Sequence, residues 1–285
     1  MKKILITGRN SFIGTSVKNW LLLEPSKYSV DTLDMKGQAW KQNDFSSYDV
    51  VFHVAGIAHI SANPKLKDLY FQVNRDLAIE TAQKAKFDGV KQFIFMSSII
   101  VYGESSGSER IIDINTIPTP SNYYGDSKLQ ADEGIRRIES ENFKVVILRP
   151  PMIYGKGSKG NYPKLVSVAK MLPIFPDFDN QRSMLHIDNF CEFVKVMIDH
   201  EETGLFFPQN TDYVETSKMV KLIREVNGKR TLLTKKFNWI IRLLFKLGIT
   251  RKLFGNLVYE KSMSDYKSQN YRIRTFKESI ELTEK

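Results

Sequence analysis

"KILITGRNSFIG", residues 3–14, decides how the rest of the chain is read. "KILIT" is a short apolar run closed by Gly8, the pattern of a buried strand, and "FIGTSVKNWLLL" (12–23) spaces its apolar residues as a helix does. A strand, a glycine turn and a helix in succession place the helix N-terminus where it would face a pyrophosphate. Gly8 suits the tight turn and Gly14 suits close packing of helix on sheet. Ser11 takes the place of the middle glycine of the dinucleotide fingerprint. Arg9, Phe12 and Ile13 complete the loop as candidate cofactor contacts.

The pattern then repeats. "YSVDTLD" (28–34), "DVVFHVA" (49–55), "QFIFMSS" (92–98) and "KVVILR" (144–149) read as strands, with helices through 68–85 and about 122–140 between them. Strand and helix alternating in this way predict an α/β fold, a Rossmann-type doubly wound parallel sheet with helices on both faces. After "RPPMIYGKGSKGN" the order weakens, and helices mix with short strands. The expected division is a dinucleotide-binding domain over 1–155 and a smaller mixed α/β substrate lobe over 156–285, partly interleaved with the first. Asp34 ends the second strand, where a carboxylate would hydrogen-bond an adenosine ribose and favour NAD. Arg9 and Lys36 could instead pair with the 2′-phosphate of NADP, and Asp34 could be a turn residue.

Composition narrows the class. The 285 residues carry a net charge of +10, with 42 Lys and Arg against 32 acidic residues. Such a surplus suits nucleic acid, an anionic membrane or a polyanionic small substrate. No helix-turn-helix, zinc-finger or RNA-binding signature accompanies it, so no nucleic-acid partner is expected. No uncharged apolar run is long enough to span a bilayer, and the N-terminus lacks the pattern of a signal peptide. Cys191, the only cysteine, reads as a buried structural thiol between Phe190 and Phe193. A cytoplasmic location fits this single cysteine. No metal-ligand spacing is present.

"SNYYGDSKLQAD" (121–132) places Tyr124 and Lys128 four residues apart on one helical face. A lysine there either belongs to a solvated surface or lowers the phenol's pKa for acid–base work.

"TGRNSFIG", "DVVFHVAG", the Val73-Asn74 pair, "FIFMSSIIVYG", "YYGDSK" and "LRPPMIYG" occur in this order. Together they resemble the extended short-chain dehydrogenase/reductases, the nucleotide-sugar epimerase/dehydratase family. The likeness continues through "NQRSMLHIDN" and the closing "FKESIEL". It implies an NAD- or NADP-dependent enzyme with Ser98, Tyr124 and Lys128 as the catalytic unit, Ser97 being the weaker hydroxyl candidate. Lys128 and the cofactor's charge would depress the phenol toward neutrality while Ser98 holds the reacting oxygen. The resemblance adds Asp44, Phe45, Ala55, Gly56, Asn74 and Pro150 to the cofactor contacts. It makes Arg182 a contact for the UDP pyrophosphate and Asn161 a contact for diphosphate or sugar, although Asn161 also reads as a turn former. His59 could line the sugar pocket or be structural.

Sugar 4,6-dehydratases of the family carry an Asp-Glu pair after the catalytic hydroxyl residue, where this chain has Ile99 and Ile100. Neither can act as acid or base, so elimination is not expected. Redox chemistry at C4 of a UDP-sugar remains. "FIFMSSIIVYG", "FKVVILRPPMIYG", "LPIFPDFDNQRS" and "RKLFGNLVY" look most like capsule and O-antigen 4-reductases acting on UDP-4-keto-6-deoxy-N-acetylhexosamines. UDP-sugar 4-epimerases with retained NAD are the alternative, and a non-catalytic dinucleotide sensor is a further one. Family members commonly form homodimers through the helices starting near 68 and 122. Residues 235–257 interleave Lys and Arg with large apolar residues. The stretch is read first as an amphipathic helical pair covering the substrate lobe, and second as a weak peripheral membrane contact.

Overall fold

The structure is a computed structural model describing residues 1–285 except 59–63, 106–109, 247 and 267–268. His59 therefore lies outside the described residues. The chain divides into two compact units. The first comprises Met1–Gly103, Ile117–Pro150 and Phe190–Pro208; the second comprises Glu104–Thr116, Pro151–Asn189 and Gln209–Lys285.

The first unit is built on a six-stranded sheet. Its order is Gly204–Phe206, Lys144–Leu148, Gln92–Met96, Val50–His53, Lys2–Thr7, Tyr28–Leu33, and every pair is parallel. Because parallel strands are covered on both faces, they read as apolar runs rather than alternating ones. Ile4, Ile6, Val51, Phe93, Phe95 and Ile147 are accordingly buried. Lys2–Thr7 has Tyr28–Leu33 on one side and Val50–His53 on the other. Strand order reverses there, and ligands of such sheets bind beyond the strands' carboxyl ends at that reversal. The edge strand Gly204–Phe206 is too short to show a period in the sequence; only its pairing with Lys144–Leu148 reveals it.

The expected long helix after the third strand has three parts. Lys67–Tyr70 is α-helical, Phe71–Asp76 is a π-helical segment, and Leu77–Phe87 is α-helical again. Widened turns of this kind concentrate at functional sites, and this one carries Asn74. The next helix runs Tyr123–Arg136 and starts at Asn122, whose side chain accepts the Gly125 amide at 2.9 Å. That bond satisfies one of the amides a helix start leaves unpaired.

The second unit packs helices Asn161–Met171, Thr216–Val226 and Phe276–Glu284 around short parallel strand pairs. Tyr154, Phe175, Met219 and Ile280 lie in its core. Thr275 and Glu278 form a capping box on the last helix.

Candidate active site

Gly8, Arg9, Ser11, Asp34, Ala55 and Gly56 line one cavity of about 850 Å³ in the first unit, together with Asn10 and Lys36. Its shape follows from the glycines. Gly8 has φ +101°, and a Cβ there would lie 2.9 Å from the Ala55 nitrogen. A Cβ on Gly14 would meet the Ser11 hydroxyl at 2.7 Å and Ile6 at 3.0 Å. Ser11 itself has φ −70°, so its position does not require glycine, and its Oγ caps the helix by accepting the Gly14 amide at 3.0 Å. Helix geometry leaves the Phe12 and Ile13 amides without an intrahelical acceptor at this end. Small residues, a helix N-terminus and a cavity of ligand size make the site fit a dinucleotide.

Asp34 is exposed on the cavity rim, and its Oδ1 accepts the Lys36 amide at 3.0 Å. It acts as a turn residue while still facing the cavity, with Lys36 and Arg9 beside it. Asp44 and Phe45 are not among the lining residues. Asp44 instead holds the amide and hydroxyl of Ser46, at 2.8 Å each, and Phe45 is fully buried in the core. Asn10, Gly37, Gln38 and Gln72 line the cavity but escaped the sequence reading. Asn10 and Gly37 sit in turns with left-handed φ of 64° and 70°, the conformation that Asn and Gly adopt most readily.

Ser98, Tyr124 and Lys128 come together at the start of helix Tyr123–Arg136. The Ser98 side chain faces the Tyr124 phenol and lowers its pKa, and its Oγ caps the 3-10 turn Ile99–Tyr102 by accepting the Ile100 amide at 3.3 Å. Pro150 anchors that turn through its carbonyl, which accepts the Ile99 amide at 2.9 Å. Gly125 lets the helix sit against it, since a Cβ there would lie 2.8 Å from the Ile100 carbonyl. Ser97, by contrast, is buried and directed at Asp132, 3.4 Å away.

Lys128 is 5% exposed. Its Nζ donates to the Met96 carbonyl at 2.8 Å and lies 4.8 Å from the centre of the Phe95 ring. Burial lowers its pKa to about 8. The expectation that Lys128 depresses the phenol is not met in the protein alone. Burial raises Tyr124 to about 12, and the Ser98 side chain only partly offsets this. A half-buried phenolate loses hydration before any cofactor charge is added, and here that loss dominates.

Asn74 joins the two ends of the site. Its Oδ1 accepts the Ile57 amide at 2.8 Å, and its Nδ2 donates to the Ile57 carbonyl at 3.0 Å and to Ser127 Oγ at 3.2 Å. Gly56 lies between, where a Cβ would be 3.0 Å from Asn74 Oδ1 and 3.3 Å from Lys128 Nζ. Behind helix Tyr123–Arg136, Arg149 Nε pairs with Asp132 at 2.8 Å, and Arg149 Nη1 donates to the Tyr102 hydroxyl at 2.7 Å. All three residues stand within the motifs quoted above, although the sequence assigns none of them a role. The available signal was Asp132, four residues after Lys128 and so on the same helical face. His53 was also passed over. It is buried, bonded to Thr7 at 2.8 Å, and held neutral because burial lowers it to about 3.

In the second unit, Arg182 Nη1 donates to the Lys252 carbonyl. Burial lowers the guanidinium to about 10. Asn161 is the first residue of its helix. Among the described residues no group of three or more His, Cys, Asp or Glu could hold a metal ion, and no helix is long and apolar enough to cross a membrane.

Residues 4–207 match the NAD dependent epimerase/dehydratase family. A UDP-glucose 4-epimerase of Vibrio cholerae is 30% identical, over 90% of this chain and 86% of its own. An N-acetyl-alpha-D-glucosaminyl-diphospho-ditrans,octacis-undecaprenol 4-epimerase of Escherichia coli O157:H7 is 25% identical, over 96% and 85%. The fold is also that of a dTDP-4-dehydrorhamnose reductase from Yersinia enterocolitica, with TM-score 0.75 and 19% identity over 99% of this chain and 98% of the other. The chain belongs to the NAD dependent epimerase/dehydratase family and is an NAD(P)-dependent nucleotide-sugar epimerase or reductase.

Proposed function

We propose that the protein epimerises C4 of UDP-glucose or UDP-N-acetylglucosamine and retains NAD through the cycle. The observation that carries this reading is the placement of Ser98 beside the Tyr124 phenol, with buried Lys128 one helical turn along. Two relatives that span nearly the whole chain and bear 4-epimerase names support it.

NAD held in this setting would supply the hydride chemistry at C4, accepting hydride and returning it. The chain handles the proton. As the C4–H bond breaks, Tyr124 Oη in its phenolate form takes the hydroxyl proton and leaves a 4-keto sugar. It gives the proton back when hydride returns to the opposite face. Ser98 would hydrogen-bond the same oxygen in both directions, and Lys128 together with the positive charge of a bound NAD would favour the phenolate. Ile99 and Ile100 supply no acid or base, so a C6 hydroxyl is not expelled. Gly8, Arg9, Ser11, Phe12, Ile13, Gly14, Asp34, Ala55, Gly56, Asn74 and Pro150 would form the cofactor's setting.

Arg182 would receive the substrate diphosphate. No carboxylate is paired with it among the described residues, and a guanidinium matches phosphate geometry. Asn161 would assist. The same chemistry serves a polyprenyl diphosphate, the carrier in the E. coli relative's name. The enzyme would work in the cytoplasm as a homodimer through the helices starting near 68 and 122.

A second reading, reduction of a UDP-4-keto-6-deoxy-N-acetylhexosamine for surface polysaccharide synthesis, is favoured by the four stretches resembling 4-reductases. Denaturing the purified protein and identifying the released nucleotide separates the two. Near-stoichiometric NAD supports epimerisation, whereas an empty site that turns over NADH or NADPH with a 4-keto sugar supports reduction. Retention of function by Tyr124→Phe would remove both in favour of a sensor.

A further inference from the structure

The positive charge is concentrated in one place. From Val226 to Tyr259 the chain has eight Lys and Arg and no Asp or Glu, so this stretch holds most of the net +10. It lies wholly in the second unit. Within it, Lys235–Phe237, Asn238–Leu243 and Leu244–Lys246 follow one another as helical turns. One face is anchored: Ile241 is buried, Phe245 packs on the same core, and Asn238 Nδ2 donates to the Asp177 carbonyl at 2.8 Å. The expected covering pair is thus only half realised. On the other face Trp239 is 62% and Leu243 69% exposed, and Phe237, Ile240 and Leu244 are exposed with them. Lys235, Lys236 and Arg242 are exposed in the same turns, and none is paired with a carboxylate among the described residues. The strand pair leading into these turns adds Ile174 and Leu232, exposed register partners.

We propose that this face docks the protein peripherally on an anionic lipid bilayer. Trp239, Leu243, Phe237 and Leu244 enter the boundary between headgroups and acyl chains, and Lys235, Lys236 and Arg242 meet the lipid phosphates. A second copy of the chain is the poorer occupant. A two-fold contact presents the same patch twice, so unpaired cations would face cations with no acid from this stretch between them. The inference stands apart from the C4 chemistry and does not depend on it.

The test is co-sedimentation of the full chain with vesicles of phosphatidylcholine alone or with phosphatidylglycerol, at low and high salt. Binding is expected only with phosphatidylglycerol and should weaken at high salt. Trp239→Glu with Leu243→Glu should reduce the partition coefficient at least about tenfold. Lys235→Glu should reduce it at least about fivefold without touching the apolar face. Absence of binding at low salt, or equal binding by wild type and both variants, overturns the proposal. So does a dimer that Trp239→Glu converts to monomer with no change in vesicle binding.

Discussion

Replacing Lys128 with Met tests the physical state of the site directly. The lysine is 5% exposed, and burial brings its pKa from 10.5 to about 8. Its folded pKa is depressed, so at neutral pH the folded protein holds a proton that burial disfavours. From the two values, ionised Lys128 costs about 3 kcal/mol at pH 7 and about 1 kcal/mol at pH 10. Wild-type stability from this group therefore rises as pH climbs from about 8 towards 10.5. Lys128→Met has no such dependence. It also loses the bond to the Met96 carbonyl, but that loss, like other packing changes, is nearly the same at both pH values. The measurement is urea denaturation of cofactor-free wild type and variant at each pH. The stability difference, variant minus wild type, should be about 2–3 kcal/mol larger at pH 7 than at pH 10. All other titrating groups cancel in that comparison. A difference that stays constant within about 0.5 kcal/mol would mean that Lys128 titrates like an exposed lysine, and the buried-ammonium account of the site would fail.

Four further outcomes are expected. Tyr124→Phe should lower kcat by about 10²–10⁴-fold while NAD binding, read by calorimetry, is preserved; loss of both together would mean the phenol is structural. Gly56→Ala should cost about 1–3 kcal/mol and reduce kcat, because its methyl group meets Asn74 and Lys128; a fully active and stable variant would show that the Asn74–Lys128 spacing is slack. Asp132→Ala should destabilise by about 3–5 kcal/mol, since it leaves the Arg149 guanidinium buried without its carboxylate; denaturation midpoints unchanged from wild type would contradict this. Asp34→Ala should weaken NAD binding by about tenfold and leave NADP binding unweakened; an equal loss for both cofactors would identify Asp34 as a turn residue only.

The sequence exposed those parts of the site that depend on local geometry. Gly8 and Gly14 marked a strand–turn–helix, and Tyr124 and Lys128 shared a face because four residues make about one helical turn. Positions of partners distant in sequence were hidden. Nothing near Gly125 shows that Ile100 stands 2.8 Å from its absent Cβ, and nothing near Asn74 shows that it clamps Ile57. Asp44 and Phe45 were drawn in by family likeness, whereas the structure gives one to a turn and the other to the core.

By itself, then, the sequence determined the parallel α/β architecture and the order in which the candidate site residues appear, since apolar period and turn chemistry are encoded over a few residues. Tertiary structure alone decided that Ser97 turns away toward Asp132, that Arg149 and Asp132 brace helix Tyr123–Arg136, and that a three-residue strand near the end of the first unit completes its sheet. It also decided the direction of the pKa shifts. A lysine and a tyrosine one turn apart look the same in sequence whether wet or dry, and only burial sets the local dielectric that raises the phenol and lowers the ammonium.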